Sequence, residues 1–111
     1  MNEDSCCIVI TTFSDDKNGT DIITALLDKR LAACVQVMPI QSWYHWRGTI
    51  CRTSEKLLLI KTLPSLFPQV QDCILVHHAY ELPEIIQVPI TDGLPGYLNW
   101  ISKECAQPDA C

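Results

Sequence analysis

Two histidines stand side by side at His77 and His78, and Tyr80, Glu81 and Glu84 follow them closely. Imidazole and carboxylate are the side chains that most often ligate metals or move protons near neutral pH. The stretch from His77 to Ile90 is therefore where this chain would hold a metal ion or run acid/base chemistry. A purely structural account also exists. Histidine at the C-terminal end of a helix is favoured by the helix dipole and can bond the last free carbonyls. Helix geometry constrains the metal account, because adjacent residues point about 100° apart. The pair can share one ion only if the helix ends there or another chain contributes ligands.

The other soft donors are seven cysteines, at 6, 7, 34, 51, 73, 105 and 111. The count is odd and no Cys-x-x-Cys occurs, so neither a disulfide framework nor a zinc ribbon has support. Most of the thiols are expected to be reduced and buried as small hydrophobes. Cys34, Cys51 and Cys73 sit within apolar patterns, while Cys105 and Cys111 lie near a polar C-terminus and are expected to be the exposed ones. Cys6 and Cys7 would face opposite ways on a strand.

A formal net charge of -5 with scattered basic residues argues against a general nucleic-acid binder. The first residues, Met1 to Ser5, are acidic and polar and do not resemble a secretory signal. No apolar run approaches membrane-spanning length. These features lead to the expectation of a cytoplasmic protein with neither a nucleic-acid nor a membrane partner.

The elements that must position the histidines are set by periodicity. Cys6 to Phe13 is β-branched and apolar and predicts a first strand. Ser14 to Gly19 has loop composition, and Thr20-Asp21 offers an N-cap. Ile22 with Leu26 and Ile23 with Leu27 give a helical stripe, so the first helix is expected from about Thr20 to Ala33. Val35, Val37 and Ile40 open a second strand, in which Pro39 marks an edge or a bulge. Ser42 to Trp46 continues the strand, Arg47-Gly48 turns the chain, and Thr49 to Thr53 and Lys56 to Thr62 return. Pro64 and Pro68 bracket the start of a second helix with Val70, Cys73 and Ile74 as its apolar stripe. Glu84 to Val88 is expected as the fourth strand, punctuated by Pro83 and Pro89, and Tyr97 to Ile101 as a short final helix. The order is βαββαβ plus a terminal helix. This is the α+β, ferredoxin-like pattern, with an antiparallel sheet and two helices on one face. One domain is expected over residues 1–111, with a core of about 6–104 and a flexible tail, 105–111.

Leu31-Ala32-Ala33-Cys34-Val35, Tyr44-His45-Trp46-Arg47-Gly48, Glu55 with Lys61-Thr62, and His77-His78-Ala79-Tyr80-Glu81-Leu82-Pro83-Glu84 occur in this order. Together they resemble the successive motifs of the CutA (CutA1) divalent-cation tolerance family, from Cys6 to about Ile101. The resemblance implies a ferredoxin-like protomer and a tight homotrimer. It further implies a non-enzymatic role in tolerance to divalent metals, with copper or a similar cation as the bound species. The family's histidine pair falls on His77 and His78. Its third ligand, a cysteine in some members, falls on Thr11, and a threonine hydroxyl is a poor ligand for a soft metal.

Two other function classes bear on these residues. A small-molecule-binding regulatory trimer, similar to the nitrogen-regulatory signalling proteins, would bind its ligand in a cleft between subunits. Trp46, Lys61, Tyr80 and Glu84 are the candidates for such a cleft, although aromatic residues are also enriched at plain interfaces. An acylphosphatase would need an arginine in the loop after the first strand. Ser14 to Gly19 is acidic and has none, so no enzyme is expected. The long hairpin of residues 35–62 carries Trp43, Tyr44 and Trp46 and presents backbone edges. It is the expected seat of trimer assembly.

Overall fold

Side-chain alternation along the first strand, β1 (Cys6–Phe13), decides how the chain packs. Cys7, Val9, Thr11 and Phe13 share one face, and each is buried. Pairing sets Leu58, Ile60 and Thr62 beside them, also buried. The apolar stripes of two helices complete this core: Ile22 and Leu26 from α1 (Asp16–Asp28), and Val70, Cys73 and Ile74 from α2 (Phe67–His77).

The computed structural model describes residues 5–105. The remaining elements are β2 (Cys34–Trp46), β3 (Thr49–Thr62), β4 (Ile85–Ile90) and α3 (Pro95–Glu104), with a short 3-10 turn at Pro64–Leu66 before α2. The strands form one sheet in the order β2-β3-β1-β4, and every neighbouring pair is antiparallel. This is the expected α+β, ferredoxin-like βαββαβ arrangement with a C-terminal helix.

Several boundaries differ from expectation, each for a physical reason. Helix α1 starts at Asp16, not at Thr20, because Asp15 serves as its cap. The Asp15 carboxylate accepts from the amides of Lys17 at 2.8 Å and Asn18 at 3.3 Å. It ends at Asp28 rather than Ala33, because Arg30 takes a left-handed φ of 55°. The amide of Leu31 then reaches the Leu26 carbonyl and that of Arg30 the Leu27 carbonyl. That is the Schellman closure, in which glycine is the usual residue at the position of Arg30.

Pro39 pairs in register with Lys56 without a bulge, which β2 tolerates because it is an edge strand. Pro89 lies inside β4, the other edge, opposite Cys7, so it does not bound the strand. β4 begins at Ile85 and reaches Ile90. α3 starts at Pro95, which fits the first turn of a helix.

Strands β2 and β3 pair from Cys34↔Lys61 to Trp46↔Thr49. Arg47 and Gly48 both have positive φ, 52° and 78°, as a type I′ two-residue turn requires. β1 pairs with β3 only between Lys56 and Thr62. The rest of the hairpin projects beyond the sheet as a two-stranded arm. On the sheet face opposite α1 and α2 lie Ile8, Ile10, Leu57, Leu59, Met38, Ile86 and Val88. Met38 is 47% and Ile86 48% exposed.

Two groups of the described cysteines differ from expectation. Cys105 is buried, not exposed, with its thiol 4.0 Å from the hydroxyl of Thr62. Cys34 and Cys51 are only half-buried. Burial pushes the Cys7 thiol up to about 11, and neighbouring Cys6 and Cys105 add to the effect. Cys111 and the rest of the expected tail lie outside the described residues.

Candidate functional site

His77 is the last residue of α2, and His78 leaves the helix with an extended ψ of 141°. The helix therefore ends at the pair, which frees the two rings from helical geometry. Hydrogen bonds then fix where each ring points. His77 Nδ1–H donates to the Cys73 carbonyl at 3.0 Å, so Nε2 keeps its lone pair. The His77 carbonyl accepts from the side-chain amide of Asn18 at 3.0 Å, which ties α2 to α1. His78 Nε2–H donates to the Thr12 carbonyl at 2.6 Å, and His78 Nδ1 accepts from the Tyr80 amide at 3.1 Å. Both ring nitrogens of His78 are thus engaged in strapping the end of α2 to β1.

Thr11, which the resemblance implied as the third-ligand position, is fully buried on the helix side of β1. Its hydroxyl oxygen has no hydrogen-bond partner. Among the described residues, no three His, Cys, Asp or Glu side chains come together in a group able to hold a metal ion. His77 Nε2 is the one imidazole nitrogen of the pair open to a ligand.

The segment after His78 builds a second feature. Tyr80 stacks obliquely on His78, with ring centroids 4.6 Å apart. Its hydroxyl donates to Glu55 Oε2 at 2.6 Å, while Ser42 Oγ donates to Glu55 Oε1 at 2.5 Å. Ser42 and Glu55 come from the paired strands of the arm, on the face that also carries Tyr44 and Trp46. Together these groups line a cleft of about 640 Å³, with Glu84 on its loop side. At the tip, Arg47 bonds Glu81 at 2.9 Å, but both side chains are 70% exposed and the pair adds little stability.

Of the four residues expected in a cleft, Trp46, Tyr80 and Glu84 come together within one chain, and Lys61 does not. Register is the reason. Lys61 pairs with Cys34 at one end of the hairpin, and Trp46 pairs with Thr49 at the other. The Lys61 ammonium instead sits 2.9 Å from the Tyr97 hydroxyl. Sequence reasoning did not place Ser42 and Glu55 in the cleft. The available signal was alternation, because Ser42, Tyr44 and Trp46 occupy every second position of one strand.

Tyr80 yields a pH prediction. Burial, followed by its hydrogen bond to Glu55, pushes the phenol from the ordinary 10.0 up to about 12. The folded state therefore holds this proton more tightly than the unfolded chain does. Its contribution to stability is fully present below pH 10 and is lost as pH rises through about 12. Tyrosinate absorbance should show one phenol ionising late, together with a loss of stability over that window. Tyr80→Phe should abolish the late step, and an unchanged titration would contradict the assignment.

The family model described as CutA1 divalent ion tolerance protein matches residues 7–104. Protein CutA of Mus musculus is 40% identical over 100 residues, covering 89% of this chain and 56% of its own length. The divalent-cation tolerance protein CutA of Thermus thermophilus is 37% identical over 97 residues, covering 86% of this chain and 94% of its own. The chain thus spans about half of the mouse relative and nearly all of the bacterial one. Among solved structures, CutA1 from Oryza sativa superposes with a TM-score of 0.88 at 32% identity, covering 93% of this chain and 95% of that one. The divalent cation tolerance protein from Thermus thermophilus gives 0.87 at 34% identity, covering 91% and 99%.

Proposed function

We propose, because this chain belongs to the CutA1 divalent ion tolerance protein family, that it acts in divalent-cation tolerance as a non-enzymatic homotrimer that binds copper or a similar cation. The observation that carries the trimer is the uncovered apolar sheet face continued by the long arm. We take the cytoplasm as its compartment, which the thiols of Cys7, Cys34, Cys51 and Cys73 suit.

The donor set of a single chain does not complete a metal site. His78 has no free ring nitrogen, and Thr11 offers a hydroxyl where a soft ion wants a thiolate. The proposed contact is therefore His77 Nε2, with the remaining ligands from a neighbouring subunit or from water. Protons compete with metal for imidazole, so binding weakens as pH falls below neutral.

Calorimetry with Cu(II), Zn(II) and, under reducing conditions, Cu(I) tests this reading, with stoichiometry counted per trimer. His77→Ala should weaken copper binding several-fold. His78→Ala should chiefly loosen the fold, because it removes the strap to Thr12. Thr11→Cys replaces a buried unpaired hydroxyl by a softer donor of similar size and should strengthen Cu(I) binding. If a His77→Ala/His78→Ala double variant binds copper as well as the wild type, the pair is structural and this metal assignment falls.

A second reading, a regulatory trimer that binds a small molecule, is favoured by one observation. The Tyr80–Glu55–Ser42 hydrogen bonds fix a carboxylate in the wall of the cleft.

A further inference from the structure

We propose that the cleft between the arm and the 78–84 loop binds an aliphatic polyamine; the inference deepens the small-molecule reading and is independent of copper. The wall chemistry points to this class. Tyr44, Trp46 and Tyr80 supply aromatic surface, Glu55 and Glu84 supply carboxylates, and no lysine or arginine lines the cleft among the described residues. Ring faces attract ammonium groups, most strongly where water is partly excluded.

Glu55 is the fixed point. It is only half-exposed, and each of its oxygens accepts from a hydroxyl, of Ser42 and of Tyr80. Those bonds hold the carboxylate in place and leave its negative charge intact. Among the described residues, neither Glu55 nor Glu84 is in an ion pair; the four pairs use Asp21, Glu104, Glu81 and Asp16. Glu81 also lines the cleft but is answered by Arg47, which lies 5.4 Å from the Trp46 ring centroid. Glu55 and Glu84 remain as negative charge without an ion pair, beside the rings of Tyr44 and Tyr80.

The spacing of the carboxylates separates an organic cation from a bare metal ion. A hard divalent ion needs several oxygens converging on one point, and the described residues hold no such group of three. A polyamine needs only one carboxylate for each ammonium, with the methylene chain laid along apolar surface. The volume of about 640 Å³ lies within the range of small-molecule sites. The net charge of -5 favours the approach of a polycation.

Spermidine is the probe, titrated into the full chain in its native assembly at fixed ionic strength, by calorimetry and tryptophan fluorescence. Magnesium ion and a neutral diol of similar length serve as comparators. Saturable spermidine binding is expected. Its dissociation constant should rise about tenfold in Glu55→Gln, which loses the charge, and several-fold in Glu84→Gln. It should be unchanged in Asp28→Asn, an exposed charge at the end of α1. Near-UV circular dichroism establishes that each variant keeps its tertiary packing. Equal weakening in Asp28→Asn and Glu84→Gln, or displacement by magnesium at matched charge, would reduce the effect to bulk electrostatics and overturn the inference. Binding of the diol without spermidine would also overturn it while leaving the small-molecule reading standing; binding of neither would remove both.

Discussion

Sedimentation of the purified chain at micromolar concentration is expected to give one species at about three times the chain mass, and Ile86→Glu is expected to convert it to folded monomers. The cause is the sheet face that α1 and α2 leave uncovered. Ile10, Leu59, Ile86 and Val88 lie there by register, and Ile86 and Val88 are 48% and 39% exposed in the single chain. Each square ångström of such surface removed from water contributes about 25 cal/mol, so joint burial of several branched side chains is a substantial drive to associate. The arm adds Trp43 and Ile50, 67% and 68% exposed. Its outer strand presents an unpaired edge of the kind that recruits another chain.

Proline placement refines the geometry. Pro39 interrupts the edge of β2, and Pro89 interrupts that of β4, while Ile40 to Trp46 carries no proline. Edge pairing between subunits is therefore expected along the arm, with the apolar faces meeting behind it. A glutamate at position 86 would remain about half-solvated in a monomer and cost it little. Buried in an interface without a partner it would cost several kcal/mol, roughly a hundredfold or more in association. A wild-type monomer at micromolar concentration would remove the trimer, and a trimeric Ile86→Glu would remove the role of this face.

The parts of the fold that were legible in the sequence are those governed by short-range periodicity. A β-branched apolar run marked β1, strand-prone residues on either side of Arg47-Gly48 marked the hairpin, and the i,i+4 pairs of α1 marked its buried stripe. The start of α1 was not legible, because Asp15 and Thr20 are both good caps locally. Gly19, whose composition suggests a loop, is instead a helical residue chosen by a tertiary contact. The end of α1 escaped because Arg30 stands where a Schellman closure normally shows glycine. Cys105 looked exposed because its neighbours are polar, yet its own contact is Thr62, far back in the chain.

The candidate site divides in the same way. That His77 and His78 stand where a helix ends was legible from the sequence. The role of His78 was not, since its partner is a backbone carbonyl, at Thr12, which has no signature in side-chain chemistry. The Tyr80–Glu55 bond spans 25 residues and depends on the loop after α2 folding back over the arm. Lys61 was grouped with Trp46 as part of a cleft between subunits; within one chain, strand register puts the two at opposite ends of the hairpin.

Gly19→Ala should be the most destabilising single-methyl change in α1, despite alanine's helix propensity. On propensity the change would gain about 1 kcal/mol. A Cβ built on Gly19, however, would stand 2.2, 2.3 and 2.5 Å from three ring carbons of Phe13. No carbon–carbon contact survives at that distance, so the ring or the helix must move. Phe13 is only 4% exposed and belongs to the packed core, which leaves the ring little freedom. Overpacking of this kind costs about 1–3 kcal/mol and occasionally more. The expected net loss is about 2 kcal/mol, or a fall in Tm of roughly 10 °C for a domain of this size. The shift should also reach the histidines, because Asn18, the preceding residue, holds the His77 carbonyl. Phe13→Leu should relieve the clash, so the double variant should be less destabilised than the sum of the two changes by about 1 kcal/mol or more. Thermal unfolding of the four proteins in this cycle checks the point. A Gly19→Ala protein as stable as the wild type would mean that the ring of Phe13 does not lie across α1, and that the early start of the helix has another cause.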